Sequence, residues 1–349
     1  MRIGIDITPV QDQYKHRGIG RVAYSITQEL INREDTEIVL FGFEEDVPEF
    51  KGKFEFISIN KKIILSKPFN PLYWQTKFKG PITNANLDYY LSYNFERGLP
   101  TGLVKTAVFI HDVIPYTTKK YSQKSFIHNL VKGIFYEYAL NNSKNADLIL
   151  TNSKFSKEEL VNTGQFDREK IHVTYLGIGD RFRASYTAEE IQSALNKYGV
   201  KFPYILYYGG FEPNKNVLTL IKAWELFLQR NPGVDIKLAI GGRKRTLRKF
   251  IENQGLNFEQ DFPNITQSNG IHALGYLEES DLPLVLKGAS IFIHLSKYEG
   301  FGFSLAEAIT MRVPIVASNA SVYPEIVKDT SLLVDPENIE AIADMINKQ

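Results

Sequence analysis

One stretch decides the fold: His294 to Ala308 reads HLSKYEGFGFSLAEA and overlaps the end of the apolar run Ala289 to His294. The apolar run predicts a buried strand, and Gly300 and Gly302 then let the chain turn into a helix that begins at Ser304. Backbone N–H groups at a helix N-terminus are unpaired and lie at the positive end of the helix dipole. This turn can therefore bind an anion such as a phosphate.

Two acidic residues flank the turn. Glu299 precedes it, and Glu307 lies in the first turns of the predicted helix. Because carboxylates repel phosphate, these two must contact another part of the same ligand, and sugar hydroxyls are the obvious candidates. Strand, glycine turn and helix also occur in α/β proteins that bind nothing there, so the local pattern alone does not establish a ligand site.

Composition limits the class of protein. The 349 residues are enough for two domains, each with its own core, and the net charge of +1 argues against nucleic acid as the main partner. The absence of cysteine rules out disulfides and thiolate metal sites. Met1 leads directly into a strand, and no apolar run approaches a membrane span, so we expect a soluble, cytoplasmic protein with at most peripheral membrane contact.

Strands alternate with helices along the chain, which predicts an α/β protein with parallel sheets covered on both faces. We expect two doubly wound, Rossmann-like domains, 1–180 and 181–349, that face a cleft lined by the loops after each strand. Predicted strands are Arg2–Asp6, Glu37–Gly42, Leu87–Ser92, Lys105–His111, Asp147–Thr151 and Lys170–Tyr175, then Tyr204–Gly209, Ile236–Gly241, Ile271–Leu274, Ser290–Leu295 and Pro314–Ser318.

The first such loop contains Gly18 and Gly20, followed by a predicted helix. A dinucleotide-binding interpretation is attractive, because Glu44 and Glu45 follow the second strand. It fails on spacing, since the glycine fingerprint lies against the strand end and here about a dozen residues separate Asp6 from Gly18. A glycine loop that only begins a helix is an equally good explanation.

Two further strand ends carry candidate site residues. His111 follows one predicted strand and, taken alone, is typical of a hydrogen-bonded structural histidine. Lys215 follows a strand and the glycines Gly209 and Gly210, where a lysine can supply a point charge to a diphosphate.

A lysine-rich segment runs from Lys51 to Lys79, with seven lysines, one acid and several interleaved aromatic residues. Such a segment can rest on an anionic membrane surface or hold a lipid-linked acceptor. Aromatic residues beneath a solvated lysine face explain it as well.

Taken in order, these segments resemble the retaining glycosyltransferases of family 4, the glycosyl transferases group 1 type, which have the GT-B fold. The resemblance rests on Glu299 and Glu307 with seven residues between them, on the glycine loop at Gly18, on His111-Asp112, and on Glu212-Pro-Asn-Lys-Asn. It extends along nearly the whole chain and is closest to mannosyltransferases of surface polysaccharide assembly.

The resemblance implies roles for particular residues. Residues 1–180 form the acceptor-side domain, and 181–349 bind the nucleotide sugar. The diphosphate is assigned to Lys215 and to the backbone N–H groups of the helix start, and the ribose to Glu307. His111 and Glu299 are assigned to the sugar, Gly18 and Gly20 to the sugar-phosphate, and Tyr276 and Leu277 to the nucleobase. Lys215 is assigned to the diphosphate together with Phe301, Gly302 and Phe303, and Gly210 is a further candidate for binding the nucleotide sugar. The candidate catalytic residues are His111, Glu299 and Lys215.

The sequence departs from the family pattern in several places. Gly210 stands where the family usually has an arginine, so Arg243 or Lys244 can supply the missing charge, unless that cluster is a solvated helix start. Ser304 replaces a common proline. The chain stops at Gln349, where family members usually continue, so we expect the final crossing helices to be missing.

The expected function is a retaining hexosyltransferase that moves mannose from GDP-mannose to a glycan or lipid-linked acceptor. A GDP-sugar is favoured over a UDP- or dTDP-sugar, and the nucleotide sugar is a substrate, so no cofactor is expected. No metal is expected either, because a lysine and helix dipoles meet the phosphate charge and the sequence shows no Asp-x-Asp ligand pair. The sequence shows no second carboxylate placed as a nucleophile, so we expect front-face attack. The alternatives are a nucleotide-sugar epimerase of GT-B fold and a non-catalytic homologue that binds a nucleotide sugar.

Overall fold

The computed structural model describes residues 1–12, 14–15, 18–43, 47–48, 50–59, 71–97, 99–113, 126–162, 165–242, 249–268 and 270–348, with the backbone alone at 71–77, 126–132 and 267. The chain divides into two compact units, Met1–Leu176 and Gly177–Gln349. Each unit is a parallel sheet with helices, which confirms the predicted fold class. The different functions predicted for the two domains stay predictions.

In the described part of the first unit, seven parallel strands form one sheet in the order β3-β2-β1-β4-β5-β6-β7. Each of the six predicted strands overlaps an observed one. The strands are β1 Arg2–Asp6, β2 Glu37–Gly42, β3 Glu55–Ser58, β4 Tyr89–Ser92, β5 Lys105–Phe109, β6 Leu148–Thr151 and β7 Ile171–Val173; the helices are α1 Gly18–Ile31, α2 Pro71–Asn84, α3 Phe126–Ser143 and α4 Lys154–Asn162.

Strand β3 was not predicted. It lies at the edge of the sheet, pairs only with β2 among the described strands, and has exposed ends at Glu55 and Ser58. A strand that is not buried on both faces lacks the continuous apolar run by which the central strands were recognised.

The described residues of the second unit include six parallel strands in the order β10-β9-β8-β11-β12-β13. Five strands were predicted, and the two-residue β13 was missed. The strands are β8 Tyr204–Tyr208, β9 Lys237–Gly241, β10 Ile271–Gly275, β11 Ile291–His294, β12 Ile315–Ser318 and β13 Leu333–Val334; the helices are α5 Ala188–Lys197, α6 Val217–Arg230, α7 Phe258–Asp261, α8 Pro263–Ser268, α9 Leu282–Lys287, α10 Phe303–Thr310, α11 Tyr323–Ile326 and α12 Ile339–Lys348.

The core of the second unit lies between the sheet and helices α6 and α12. Trp224 of α6 is fully buried and donates its indole N–H to the carbonyl of Gly270 at 3.0 Å. Helix α12 packs against α6 and buries Ile342 and Ile346, and Arg230 pairs with Asp344 at 2.7 Å. Helix α12 is therefore part of this core.

Within the described part of the chain, no helix combines the length and the apolar composition needed to cross a membrane.

Candidate functional site

The candidate site lies at the carboxyl ends of the strands of the second sheet. Strands β8, β11 and β12 are neighbours and run parallel, so the loops that follow them emerge side by side. These loops carry Lys215, Glu299 and Tyr323, respectively. Ligands of doubly wound sheets bind beyond the carboxyl ends of the strands.

The helix start that organises the site is α10, which begins at Phe303, one residue before the predicted start. Gly302 is its N-cap and has a left-handed backbone conformation, with φ 79° and ψ 55°. A Cβ atom at this position would lie 2.5 Å from Cε1 of Tyr323. Glycine is therefore required at position 302 by both the backbone conformation and the packing.

Gly302→Ala should lower the free energy of unfolding by about 1–3 kcal/mol, because alanine is strained in this conformation and collides with a buried ring. Chemical denaturation measures this change in the unfolding transition of the second unit. Gly179→Ala is the matched control, since Gly179 has φ −57° and open space around it. Equal effects of the two substitutions would contradict the role of Gly302.

Lys215 and Glu299 form an ion pair in the site. Lys215 Nζ lies 2.5 Å from Glu299 Oε1, and the hydroxyl of Ser296 donates to the same oxygen at 2.9 Å. Both side chains are largely buried. Lys215 and Glu299 were predicted to contact different parts of one ligand, and the structure brings the two side chains into direct contact.

Ser321 fixes the backbone of Glu299. The Glu299 N–H donates to the Ser321 hydroxyl at 2.7 Å, and this hydroxyl donates to the Glu299 carbonyl at 2.6 Å. Ser321 itself has φ 62°, an uncommon conformation for a residue with a side chain. Ser321 was not among the predicted site residues, because it lies 22 residues from its partner.

Glu307 is almost fully buried on α10 and accepts a hydrogen bond from the hydroxyl of Tyr208. Tyr208 ends β8, and its ring lies 5.1 Å from that of Phe292 on the neighbouring strand β11. The Glu307 carboxylate is therefore held at the carboxyl ends of the same strands as the Lys215–Glu299 pair. Tyr208 was not among the predicted site residues.

Asn214 joins the loop of Lys215 to the loop of Glu299. Its side-chain amide donates to the Tyr298 carbonyl at 3.0 Å, and its own carbonyl accepts from the Lys297 N–H at 2.8 Å. Lys215 ends the short 3-10 helix Pro213–Lys215 that Asn214 belongs to. This pair of hydrogen bonds places Lys215 opposite Glu299.

Gly210 is covered by the carboxylate of Glu212. A Cβ atom at position 210 would lie only 1.8 Å from Glu212 Oε2, so a larger residue requires Glu212 to move. The space beside the loop of Lys215 therefore holds a carboxylate, where the family usually has an arginine. Arg243 and Lys244, proposed to replace that arginine, lie outside the described residues.

The predicted nucleobase loop follows β10. Gly275 has φ 75° and accepts from the Gly242 N–H at 2.8 Å. Tyr276 is exposed, whereas Leu277 lies against Gly241. The assignment of Tyr276 and Leu277 to a nucleobase stays a prediction.

His294 ends β11 beneath these loops and is buried. Its ring lies 5.7 Å from the ring of Tyr207 with nearly parallel planes, and Nδ1 is hydrogen-bonded to the Tyr323 hydroxyl. Burial, together with the charge of Lys215, lowers the pKa of His294 to about 3, so the imidazole is neutral at physiological pH. Burial also raises the pKa of Tyr323 well above its usual value, so its hydroxyl keeps its proton.

In the first unit, His111 follows β5, and its ring lies 4.7 Å from that of Phe109. Burial lowers the pKa of His111 to about 4, so this imidazole is also neutral. Its Nε2 atom is buried and lacks a hydrogen-bond partner among the described residues. A buried polar atom of this kind fits the predicted contact with a ligand as well as a water-mediated structural role.

The glycine loop is also in the first unit. Gly18 begins α1, and a Cβ atom on Gly20 would lie 2.3 Å from the Tyr14 carbonyl oxygen, so only glycine allows the loop to pack against the helix. Arg97, a buried cation that the sequence analysis missed, donates to Thr8 and Asp12 beside this loop. The lysine-rich segment lies partly outside the described residues, which omit 60–70 and the side chains of 71–77.

Among the residues that the structure describes, no three His, Cys, Asp or Glu side chains are grouped so as to hold a metal ion.

Several solved structures similar to this chain are named as glycosyltransferases. A glycosyltransferase from Rickettsia africae ESF-5 has a TM-score of 0.68 and 20% identity, covering 99% of this chain and 87% of that one. WaaG, a glycosyltransferase involved in lipopolysaccharide biosynthesis, has a TM-score of 0.67 and 16% identity, covering 100% and 90%. Anabaena HepE in complex with UDP and glucose has a TM-score of 0.69 and 16% identity, covering 100% and 89%. The fold is therefore that of GT-B glycosyltransferases.

Sequence relatives agree with the fold. Residues 188–349 match the family described as Glycosyl transferases group 1. O-antigen chain mannosyltransferase B of Escherichia coli is 27% identical over 98% of this chain and 89% of its own length. The serotype-specific mannosyltransferase WbdA of E. coli is 22% identical over 100% of this chain, which spans 44% of WbdA. The second unit is thus a glycosyl transferases group 1 domain, and the resemblance seen in the sequence is confirmed.

Proposed function

We propose that this protein transfers mannose from GDP-mannose, with retention of anomeric configuration, to a glycan or lipid-linked acceptor in surface polysaccharide assembly. The observation that carries the proposal is that Lys215, Glu299 and Glu307 lie together at the carboxyl ends of the strands, around the helix start at Gly302. A cation, a helix N-terminus and two carboxylates are the groups that a diphosphate, a ribose and a sugar require.

In the proposed complex, Lys215 and the N–H groups of Phe301, Gly302 and Phe303 stabilise the charge that develops on the leaving diphosphate. Glu307, oriented by Tyr208, accepts hydrogen bonds from the ribose hydroxyls. These groups hold the leaving group in place while the glycosidic bond breaks.

Donor binding must rearrange the ion pair. Lys215 exchanges the Glu299 carboxylate for phosphate oxygens, and Glu299 becomes available to accept from hydroxyls of the sugar. Ser296 and Ser321 keep hold of Glu299 during this exchange, because neither hydrogen bond involves Lys215. His111, Gly18 and Gly20 keep their predicted roles toward the sugar and the sugar-phosphate as part of this proposal.

We expect front-face attack, in which the acceptor hydroxyl approaches the anomeric carbon beside the departing phosphate and gives its proton to that phosphate. Retention then needs no covalent enzyme intermediate, in contrast to the nucleophile of retaining glycosidases. Charge stabilisation by Lys215 and the helix start makes the proposed reaction independent of metal. Contact of the lysine-rich segment with an anionic membrane surface is part of the proposal only for a lipid-linked acceptor.

The test is incubation with GDP-mannose, UDP-glucose and a dTDP-sugar, each with and without a mannose-containing acceptor, while nucleoside diphosphate release is followed. We expect release from GDP-mannose that depends on the acceptor, and a product with α-configuration by NMR. Isomerised nucleotide sugar without acceptor would instead indicate an epimerase. Donor binding without any turnover would indicate a non-catalytic homologue.

A further inference from the structure

His294 presents its two ring nitrogens to different surroundings. Nδ1 faces Tyr323 and lies 3.4 Å from the Ser296 hydroxyl. We assign the Tyr323 hydroxyl, which keeps its proton, as the donor to Nδ1. Nδ1 is therefore an acceptor, and in the neutral ring the proton is on Nε2.

Nε2 faces the glycine loop after β8. A Cβ atom on Gly209 would lie 3.7 Å from Nε2, so this nitrogen is close to the backbone at the start of the loop that leads to Lys215. No residue that the structure describes forms a hydrogen bond with Nε2. The side chain is 1% exposed, so a group that pairs with Nε2 must come from the side of the glycine loop.

The surroundings hold the ring rigidly in this orientation. Tyr207 and Phe292 lie on its faces, with ring centroids 5.7 and 5.8 Å away and interplanar angles of 17° and 21°. Tyr323 meets it edge to face and is also the ring against which Gly302 packs. One imidazole thus lies beneath the glycine loop after β8 and next to the tyrosine that supports the start of α10.

We propose that the Nε2–H of His294 is a binding group for the donor, donating a hydrogen bond to a diphosphate oxygen that lies against Gly209. This inference rests on the proposed function, since it assigns a further contact at the same site. A neutral donor is suited to this position, because Lys215 already supplies a positive charge nearby and two carboxylates, Glu212 and Glu299, lie beside it.

Two substitutions distinguish the contributions of the two ring nitrogens. In His294→Asn, the side-chain amide reaches the position of Nδ1 and can still accept from Tyr323, but nothing replaces Nε2. In His294→Gln, the longer amide reaches the position of Nε2 and can donate there. A hydrogen bond to a charged oxygen is worth about 1.5–3 kcal/mol, which corresponds to a tenfold or greater loss of affinity.

The experiment is isothermal titration calorimetry of the full chain with GDP and with UDP, together with thermal melts of each variant. We expect His294→Asn to weaken binding of whichever nucleoside diphosphate the wild type prefers by about tenfold or more, and His294→Gln to stay within about threefold of the wild type. Equal losses in both variants, or none in His294→Asn, would overturn the proposed contact. If the wild type binds neither GDP nor UDP, the proposed function itself fails.

Discussion

Replacing Lys215 by alanine should weaken nucleoside diphosphate binding by about 10- to 100-fold, because a charge-assisted hydrogen bond to phosphate is worth about 1.5–3 kcal/mol. The loss has a second source. Without Lys215, the buried Glu299 carboxylate loses the cation that lies 2.5 Å away and repels the incoming diphosphate. Calorimetry with GDP and UDP measures the total.

The double variant Lys215→Ala with Glu299→Gln separates the two sources. If repulsion by Glu299 contributes, the double variant should bind the nucleoside diphosphate more tightly than Lys215→Ala alone. Lys297→Ala is the matched control, since Lys297 is a nearby lysine whose ammonium pairs with the exposed Glu337 at 2.7 Å. A loss in the Lys297 variant as large as that at Lys215 would contradict a specific role for Lys215.

Glu299→Gln should lower turnover without weakening nucleoside diphosphate binding. Turnover should fall by about 10²- to 10³-fold, a loss typical of removing one electrostatic group from an active site. Nucleoside diphosphate affinity should be unchanged or higher, because Lys215 no longer has to leave an ion pair before it can bind phosphate. Initial rates with the active donor and calorimetry with the free diphosphate measure the two effects.

Glu337→Gln is the control for this prediction, because it removes a carboxylate from an exposed pair with Lys297 and leaves the Glu299 pair intact. Its turnover should match the wild type. Weaker diphosphate binding in Glu299→Gln would show that Glu299 holds Lys215 in its binding position and does not compete with the ligand. Unchanged turnover would remove Glu299 from the reaction.

Much of the fold could be predicted from the sequence because the central strands are buried. Strands β1 and β2 were predicted with the observed bounds, since strands covered on both faces need continuous apolar runs. Strand β3 was missed because its ends are exposed, and β13 because it has only two residues, whereas the edge strands β7 and β10 were predicted. The glycine turn after β11 was also predicted, and its helix begins one residue earlier than expected.

The candidate site was predictable only in part. Glu299, Glu307 and Lys215 were found because each belongs to a short motif with fixed spacing along the chain. Tyr208 and Asn214 were missed, because their partners lie 99 and 84 residues away and no local pattern marks them. The direct pairing of Lys215 with Glu299 was missed for the same reason.

The sequence by itself determined the alternation of strands and helices, the glycine turn before α10 and the identity of the charged residues, because these depend on local apolar runs, backbone conformation and motif spacing. Only the tertiary structure decided which charges pair, which ring supports Gly302 and which nitrogen of His294 faces the glycine loop. These are contacts between loops that follow different strands, and the parallel sheet brings those loops together at the carboxyl ends of the strands.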